Sequence, residues 1–327
     1  MNPLAETIAR RVRDEGGRAL IVGGWVRDRL LGHESKDIDL EVFGVAAARL
    51  EALLASLGRV DTVGESFAVH KIGGIDVSLP RTESKTGRGH RGFAVTGDPY
   101  LSIAEAARRR DFTINAVLFD PLAGEYVDPH GGRADLERRL LRAVNPATFG
   151  DDSLRVLRAI QFAARFELVI DDATKALCRS IPLDDLPAER VWGEIEKLLR
   201  QAQRPSIGFD LALELGVVDR LFPEMKALVG CEQEPDWHPE GDVWVHTLMV
   251  IDESRRLLDD AGWDRPRQVA IMLGAVCHDF GKPATTAFVD GPARPSPVTT
   301  FSRSSCAREE STERIASRRI RFGSRCV

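Results

Sequence analysis

Long apolar runs are missing from this chain. No stretch of its 327 residues approaches the ~20 consecutive apolar residues of a membrane-crossing helix. The opening segment MNPLAETIARRVRDEGG has no apolar core either, so no secretory leader is expected. Cysteines in paired spacing are also missing. Cys178, Cys231, Cys277, Cys306 and Cys326 are scattered, which argues against a disulfide or zinc framework and for a reducing cytoplasm. There is no repeat of fixed period. There is no basic excess: the net charge is −5, so any site for a polyanion has to be a local patch in an acidic average. What remains is ordinary for a folded chain, with 43% hydrophobic and 29% charged residues. The length allows two or more domains of ~100–200 residues.

The pattern divides in two. Residues 1–145 alternate short strand-like and helical runs. RALIV, DIDLEVF, RVDTV, FAVHKI and GIDVSLP read as strands, WVRDRLLG and VAAARLEALLASLG as helices. LSIAEAARRRDF reads as a helix opened by a capping box, Ser102 to Glu105. Between them, RTESKTGRGHRGFAVTGDP (81–99) reads as a basic, glycine-rich loop. From about 146 onward every periodic segment is helical, including DDSLRVLRAIQFAARFEL and AERVWGEIEKLLRQA. The expected fold class is α+β: a mixed sheet with helices, then an all-α part. Segments 146–225 and 226–290 are expected as successive helical units. The tail 291–327 is rich in Arg and Ser, lacks the apolar period of a packed helix, and reads as disordered or as the product of a shifted reading frame.

Two features near the start carry chemistry. Gly23-Gly24 falls between an apolar strand and a helix start, where bare backbone amides and the helix dipole suit a phosphate. Just after it, Asp37, Asp39 and Glu41 alternate, so they point to one face of a strand with about 6.5–7 Å between successive members. Two converging carboxylates can bind a pair of Mg²⁺ ions ~3.5–4 Å apart, the arrangement used in phosphoryl transfer. Taken singly, a solvated acidic strand or a common turn explains either feature as well.

Together with three segments farther along the chain, they resemble a known family. LIVGGWVRDRLLGHESKDIDLEV (Leu20–Val42) resembles the first motif of the class II nucleotidyltransferases of the DNA polymerase β superfamily, the tRNA CCA-adding enzymes and bacterial poly(A) polymerases. RRRDFTINAVLFDP (Arg108–Pro121) resembles their second motif, FGDDSLRVLRAIQFAARF (Phe149–Phe166) their base-selecting motif, and AERVWGEIEKLL (Ala188–Leu199) the helix after it. The resemblance implies a polymerase-β-like catalytic head over 1–145, a helical neck and body with an RNA-binding role over 146–225, and the partners tRNA, CTP and ATP.

Residue by residue, Asp37 and Asp39 match the catalytic metal-binding pair for two Mg²⁺, with Asp76 in GGIDVSLP a candidate third carboxylate and a surface acid its equal alternative. Gly23, Gly24 and Arg27 match the triphosphate cradle, and Asp28 the holder of its neighbouring arginine. Arg110, Asp111 and Asn115 match nucleotide-binding positions, the last two with a ribose-reading role. Asp152 and Arg155, with Arg158 beyond them, match the base-selecting positions. Cytosine and adenine share an edge with an amino donor beside an unprotonated ring nitrogen; a carboxylate accepts from the first and a guanidinium donates to the second. The competing reading is that Asp151 or Asp152 caps a helix and Arg155 is solvated. The family usually has Glu-Asp where this chain has Asp151-Asp152, and Ser153 replaces a common Pro or Ala; the key pair is retained.

Further on, WHPEGDVWVHTLMVID and AIMLGAVCHDFGKPATT resemble the HD phosphohydrolase domain that some CCA-adding enzymes append, with His246, His278 and Asp279 as ligands of a further divalent metal. Past Asp279 the chain has one aspartate, Asp290, and no histidine, so 226–290 reads as a partial HD domain. The expected activity is addition of CCA to tRNA 3′ ends. The alternatives are poly(A) synthesis or partial CC- or A-addition, an HD-type hydrolase, and an inactive RNA-binding fragment.

Overall fold

The computed structural model describes residues 2–35, 37–64, 68–85 and 93–286. The tail 291–327 and Asp290 lie outside the described residues, as does the tip of the basic segment, 86–92. In chain order the elements are α1 (Pro3–Asp14), β1 (Arg18–Val22), α2 (Gly24–Leu30), β2 (Ile38–Phe43), α3 (Ala47–Leu57), β3 (Asp61–Val63), β4 (Val69–Ile72), β5 (Ile75–Ser78), β6 (Arg81–Lys85), β7 (Phe93–Gly97), α4 (Ile103–Arg108), β8 (Leu118–Asp120), β9 (Glu125–Val127) and α5 (Gly132–Glu137). Next come β10 (Leu140–Leu141), α6 (Pro146–Phe149), α7 (Leu154–Phe166), β11 (Val169–Ile170), α8 (Asp172–Ser180), α9 (Ala188–Gln201), α10 (Pro205–Glu214), α11 (Val217–Leu221), α12 (Pro223–Lys226), α13 (Val243–Ala261), α14 (Arg265–Cys277) and α15 (Lys282–Thr285). Among the described residues no helix is long and apolar enough to cross a membrane.

The sheet has the order β3-β4-β5-β2-β1-β8-β9. β2 sits at its centre, antiparallel to β1 and parallel to β5. Alternation divides the side chains between two cores. Ile21, Leu40 and Val42 pack with Ile8 and Val12 of α1 and with Leu50 and Leu54 of α3. Leu20, Val22 and Phe43 pack against Ala106 and Ala107 of α4 on the other face. α4 opens on the expected capping box: the Glu105 amide donates to Ser102 Oγ, and the Glu105 carboxylate accepts from the Ser102 amide.

The basic segment 81–99 departs from the expectation of a loop. Arg81–Lys85 and Phe93–Gly97 pair antiparallel as a separate two-stranded hairpin, in register from Arg81 opposite Gly97 to Lys85 opposite Phe93. The β-branched Thr82 and Thr96 stand opposite each other in it, and such residues favour strand backbone. SIGFDLALELGVVDRLF (206–222) is helical in two pieces, α10 and α11, divided at Gly216, whose φ of 69° is left-handed.

The helical part shares one core with the end of the sheet region. Phe112 and Ile114 are fully buried in the same cluster as Leu157 and Ile160 of α7 and Leu198 of α9. The Phe112 ring meets Phe149 and Phe162 edge-on, at 5.6 and 5.9 Å. Burying a side chain of that size is worth ~1.5–3 kcal/mol. The second motif is therefore clamped directly onto α7, and the two helical units after residue 146 share this core as far as Val276.

Candidate active site

The ends of the central strands β1 and β2 and the start of α7 face each other across a cavity of about 710 Å³. Gly23, Gly24, Arg27, Asp37, Asp39, Arg110, Asp111, Asn115, Asp152, Arg155 and Arg158 all line it. Eleven sequence candidates from four separate segments thus meet in one place.

The glycine turn approaches the acids closely. Gly23 has φ 74° and ψ −136°, a conformation that L side chains rarely adopt. A Cβ there would lie 3.6 Å from Asp39 Oδ2 and 3.4 Å from an Arg110 guanidinium nitrogen. Asp39 projects from β2 into the cavity, and Asp37 sits just before that strand. Burial pushes the Asp39 carboxyl above its ordinary range; Arg110 opposes this, while Asp76 and Asp37 add to it. Excess negative charge in a half-buried cradle left open by a glycine fits a divalent cation.

Glu41, the third acid of the row, does not join this pair. It is 1% exposed, and Arg109 donates to its Oε1 at 2.9 Å. Asp76 stands opposite Asp39 in register on β5. Its carboxylate, however, accepts from Lys71 Nζ at 2.8 and 2.7 Å, and it does not line the cavity. A cross-strand partner has taken the third carboxylate.

Behind the glycine turn runs a chain of buried polar contacts. Arg27 donates from Nε and Nη2 to Asp28 Oδ1 at 2.8 and 2.6 Å, and from Nη1 to Asn115 Oδ1 at 2.9 Å. Its guanidinium also lies over the Phe166 ring, at 4.5 Å from the centroid. Asn115 Nδ2 donates to Asp111 Oδ1 at 2.9 Å, and the Phe112 amide donates to the same oxygen at 2.8 Å. Arg158 donates to Asp111 Oδ2 from Nε at 2.7 Å, with Nη2 at 2.6 Å. Those four contacts fill the ~four lone-pair positions of a carboxylate. Burial raises the Asp111 carboxyl, but Arg158 and the hydrogen bonds from Asn115, Arg158 and Phe112 prevail and hold it below the usual range.

Asp152 and Arg155 are not both helical, as the spacing suggested. α7 begins at Leu154, and Asp152 occupies the turn before it, accepting from the Leu154 amide at 3.2 Å. The N-cap itself is Ser153, which makes no side-chain cap hydrogen bond. Arg190 of α9 donates to both oxygens of Asp152, at 3.0 and 2.9 Å. Arg155 donates to the carbonyls of Thr148 and Arg109, each at 2.9 Å, so it ties the second motif to the third.

Sequence reasoning missed Gln161, Arg165, Lys197 and Gln201 in the cavity wall. Arg158, Gln161 and Arg165 lie at i, i+3 and i+7, one face of α7, and that spacing was an available signal.

The histidines converge elsewhere. His246, His278 and Asp279 bring one ligand atom each within 4.8 Å of one another, as do His238, Glu240 and His246. Asp279 Oδ2 lies 3.2 Å from His278 Nε2 and 3.9 Å from His246 Nε2, and Lys282 Nζ lies 2.8 Å from it. Glu240 Oε1 is 2.9 Å from His238 Nδ1 and 2.7 Å from His246 Nδ1; these contacts draw the Glu240 carboxyl down to about 2.

Comparison with known proteins gives two family matches. Residues 19–142 match the Poly A polymerase head domain, and 170–228 match the probable RNA and SrmB-binding site of polymerase A. The chain is 41% identical over 274 residues to the Multifunctional CCA protein of Xanthomonas campestris pv. campestris. It is 42% identical over 279 residues to that of Thioalkalivibrio sulfidiphilus. This chain belongs to the family of CCA-adding enzymes and bacterial poly(A) polymerases. The two alignments cover 81% and 83% of the chain, which spans 63% and 64% of the length of these relatives. A tRNA nucleotidyltransferase solved with a primer tRNA and an incoming ATP analog superposes with a TM-score of 0.55 at 26% identity, over 84% of this chain and 83% of that one. A tRNA-processing enzyme solved with CTP gives 0.55 at 25% identity, over 85% and 79%. The fold is the polymerase-β-like head and helical body of the CCA-adding enzymes.

Proposed function

We propose that the chain is a template-independent nucleotidyltransferase that adds C and A, taken from CTP and ATP, to the 3′ end of tRNA. The observation that carries this reading is the single cavity in which the glycine turn, the two strand acids and the α7 residues meet. The relatives named Multifunctional CCA protein and the structures with CTP, with an ATP analog and with primer tRNA support the substrates.

In the proposed reaction the 3′-hydroxyl of the tRNA attacks the α-phosphorus of the nucleoside triphosphate. A P–O bond forms to the tRNA, the bond to the β-phosphate breaks, and pyrophosphate leaves as the hydroxyl proton is lost. Asp37 and Asp39 would hold two Mg²⁺, which supply charge neutralisation to the triphosphate and favour ionisation of the hydroxyl. The Gly23-Gly24 turn lets the triphosphate come close to Asp39. Arg110, beside the glycine, faces the phosphates and balances their charge. Arg27 acts from behind, through Asn115, by holding the second motif in place.

Asp152 and Arg155 choose the base. Asp152 Oδ1 accepts from both Arg190 and the Leu154 amide, whereas Oδ2 accepts only from Arg190 and has a lone pair left for an exocyclic amine. Arg155 uses only two of its five N–H groups on backbone carbonyls. Uracil and guanine present the reversed pattern and are rejected. Asp111 has its lone pairs filled, so it acts by fixing Arg158 and Asn115, and its ribose-reading role requires one of those bonds to open.

Incubation of the protein with Mg²⁺, CTP, ATP and a tRNA lacking its CCA end tests this reading. Three added nucleotides are expected. A long A tail, or a stop after two, would instead support the poly(A) or partial-addition alternatives.

We also propose that His246, His278 and Asp279 form a second divalent metal site in the helical part, as in an HD domain. Their convergence from α13 and the end of α14 favours it. In this reading Glu240 fixes the His246 ring through Nδ1 and leaves Nε2 toward the metal.

A further inference from the structure

Gln161 is an anomaly in the wall of the cavity. It lies in the middle of α7, between Ile160 and Phe162, and is 1% exposed. Neither its carboxamide oxygen nor its nitrogen has a hydrogen-bond partner among the described residues. Buried amides are almost always bonded, and an orphaned one destabilises the fold. A methionine or leucine of similar size would fill the same space without that cost. A carboxamide kept there without a partner points to a ligand.

Its surroundings say which. Gln161 lines the main cavity together with Arg158 and Arg165 of the same helix face. It is six residues beyond Arg155, about 9 Å along the axis, and helical side chains lean back toward the N-terminus, which shortens that gap. On its other side is a void of about 10 Å³, shared with Glu194 and Leu198 of α9, at most the size of one water. Because the carboxamide makes no hydrogen bond, turning it toward the cavity breaks none. A carboxamide offers an acceptor and a donor side by side. The oxygen can accept the second hydrogen of the cytosine or adenine amino group, whose first goes to Asp152; uracil and guanine have no such hydrogen there.

We propose that Gln161 is a specificity-determining residue that contacts the base of the incoming nucleotide, alongside Asp152 and Arg155. The inference rests on the nucleotidyltransferase reading. It predicts that the free protein gives up stability to keep the carboxamide available.

The test is Gln161→Met in the full chain, followed by thermal melting and by titration with CTP, UTP, ATP and dCTP. The expected result is a melting temperature equal to or above wild type, about tenfold weaker binding of CTP and ATP, and a reduced preference for CTP over UTP. Gln161→Leu, which removes both the donor and the acceptor, gives the same loss of preference if the methionine variant does not fold. Unchanged CTP and ATP affinity overturns the proposal, and a lowered melting temperature with it would assign the amide to a bound water. A collapsed preference for CTP over dCTP, with CTP over UTP intact, also overturns it, because the amide would then contact the sugar. Wild-type protein that binds none of these nucleotides sinks the nucleotidyltransferase reading as well.

Discussion

Arg190 of α9 holds Asp152 with two hydrogen bonds, 3.0 and 2.9 Å long, across 38 residues of sequence. Both side chains are about one quarter exposed. The pair has a functional consequence, because Asp152 sits in a turn before α7, where the Leu154 amide is the other anchor of its carboxylate. Arg190→Ala is expected to leave the stability within ~1 kcal/mol of wild type. It should lower kcat/KM for both nucleotides by up to ~10²-fold through misplacement of the carboxylate. Arg190→Lys cannot reproduce the two-point contact and should recover little. Steady-state kinetics with CTP and ATP would show it, and equal rates for all three proteins would refute the positioning role.

Gly23 is expected to tolerate no side chain. Its φ of 74° with ψ −136° strains any L residue by ~1–3 kcal/mol, although a Cβ would meet Arg110 and Asp39 only at ordinary contact distances of 3.4 and 3.6 Å. Gly23→Ala should lower the melting temperature and weaken triphosphate binding together. If it binds CTP as wild type does, the turn is not the phosphate cradle.

How much of the site is readable from the sequence depends on where each partner lies along the chain. Gly23, Asp37 and Asp39 fall within one strand-turn-helix-strand unit, so their meeting follows from local periodicity. The strands of the sheet's core are equally visible, because Leu40 and Val42 alternate with the acids. Glu41 looks like a third member of the acidic row, but its partner, Arg109, is 68 residues away, and only the folded chain shows them paired. Lys71 and Asp76 are paired by the two-residue Gly73-Gly74 turn, whose left-handed φ values set the hairpin register, a local signal that sequence reasoning missed. The hairpin from Arg81 is hidden by its Arg- and Gly-rich composition. Gln161 escapes notice because a single amide in an apolar helix has no periodic signature; its missing partners are a three-dimensional fact.

Asp111 predicts a pH dependence. Its carboxyl is held below the ordinary aspartate range, so it binds protons less readily folded than unfolded. Its stabilising contribution is therefore present above the unfolded pKa of ~3.9 and is lost as pH falls through the depressed folded value. Asp111→Asn should destabilise the protein by ~1–3 kcal/mol at pH 7, where Arg158 loses its partner. The difference should close as the pH is lowered below ~4. Denaturation of both proteins over that range would check it; a constant difference would mean the charge is irrelevant.

The histidine cluster predicts metal binding apart from the head. Zn²⁺ or Mn²⁺ added to the chelated protein should raise the melting temperature, by an amount that follows ligand linkage. In Asp39→Asn a rise should persist, and adding His278→Ala to that variant should abolish it. Loss of the effect in Asp39→Asn alone would locate the metal at the sheet instead.

If Asp37 and Asp39 form a metal-dependent nucleotidyl-transfer site beside the Gly23 turn, removing one carboxylate or the metal must stop the reaction. The deciding experiment is transfer of labelled CMP from CTP to a tRNA lacking its CCA end, with wild type and Asp39→Asn side by side, in Mg²⁺ and in chelator. Incorporation is expected from wild type in Mg²⁺ only, with a loss of at least ~10²–10³-fold in Asp39→Asn while the fold stays intact. Incorporation by Asp39→Asn at the wild-type rate would contradict the assignment.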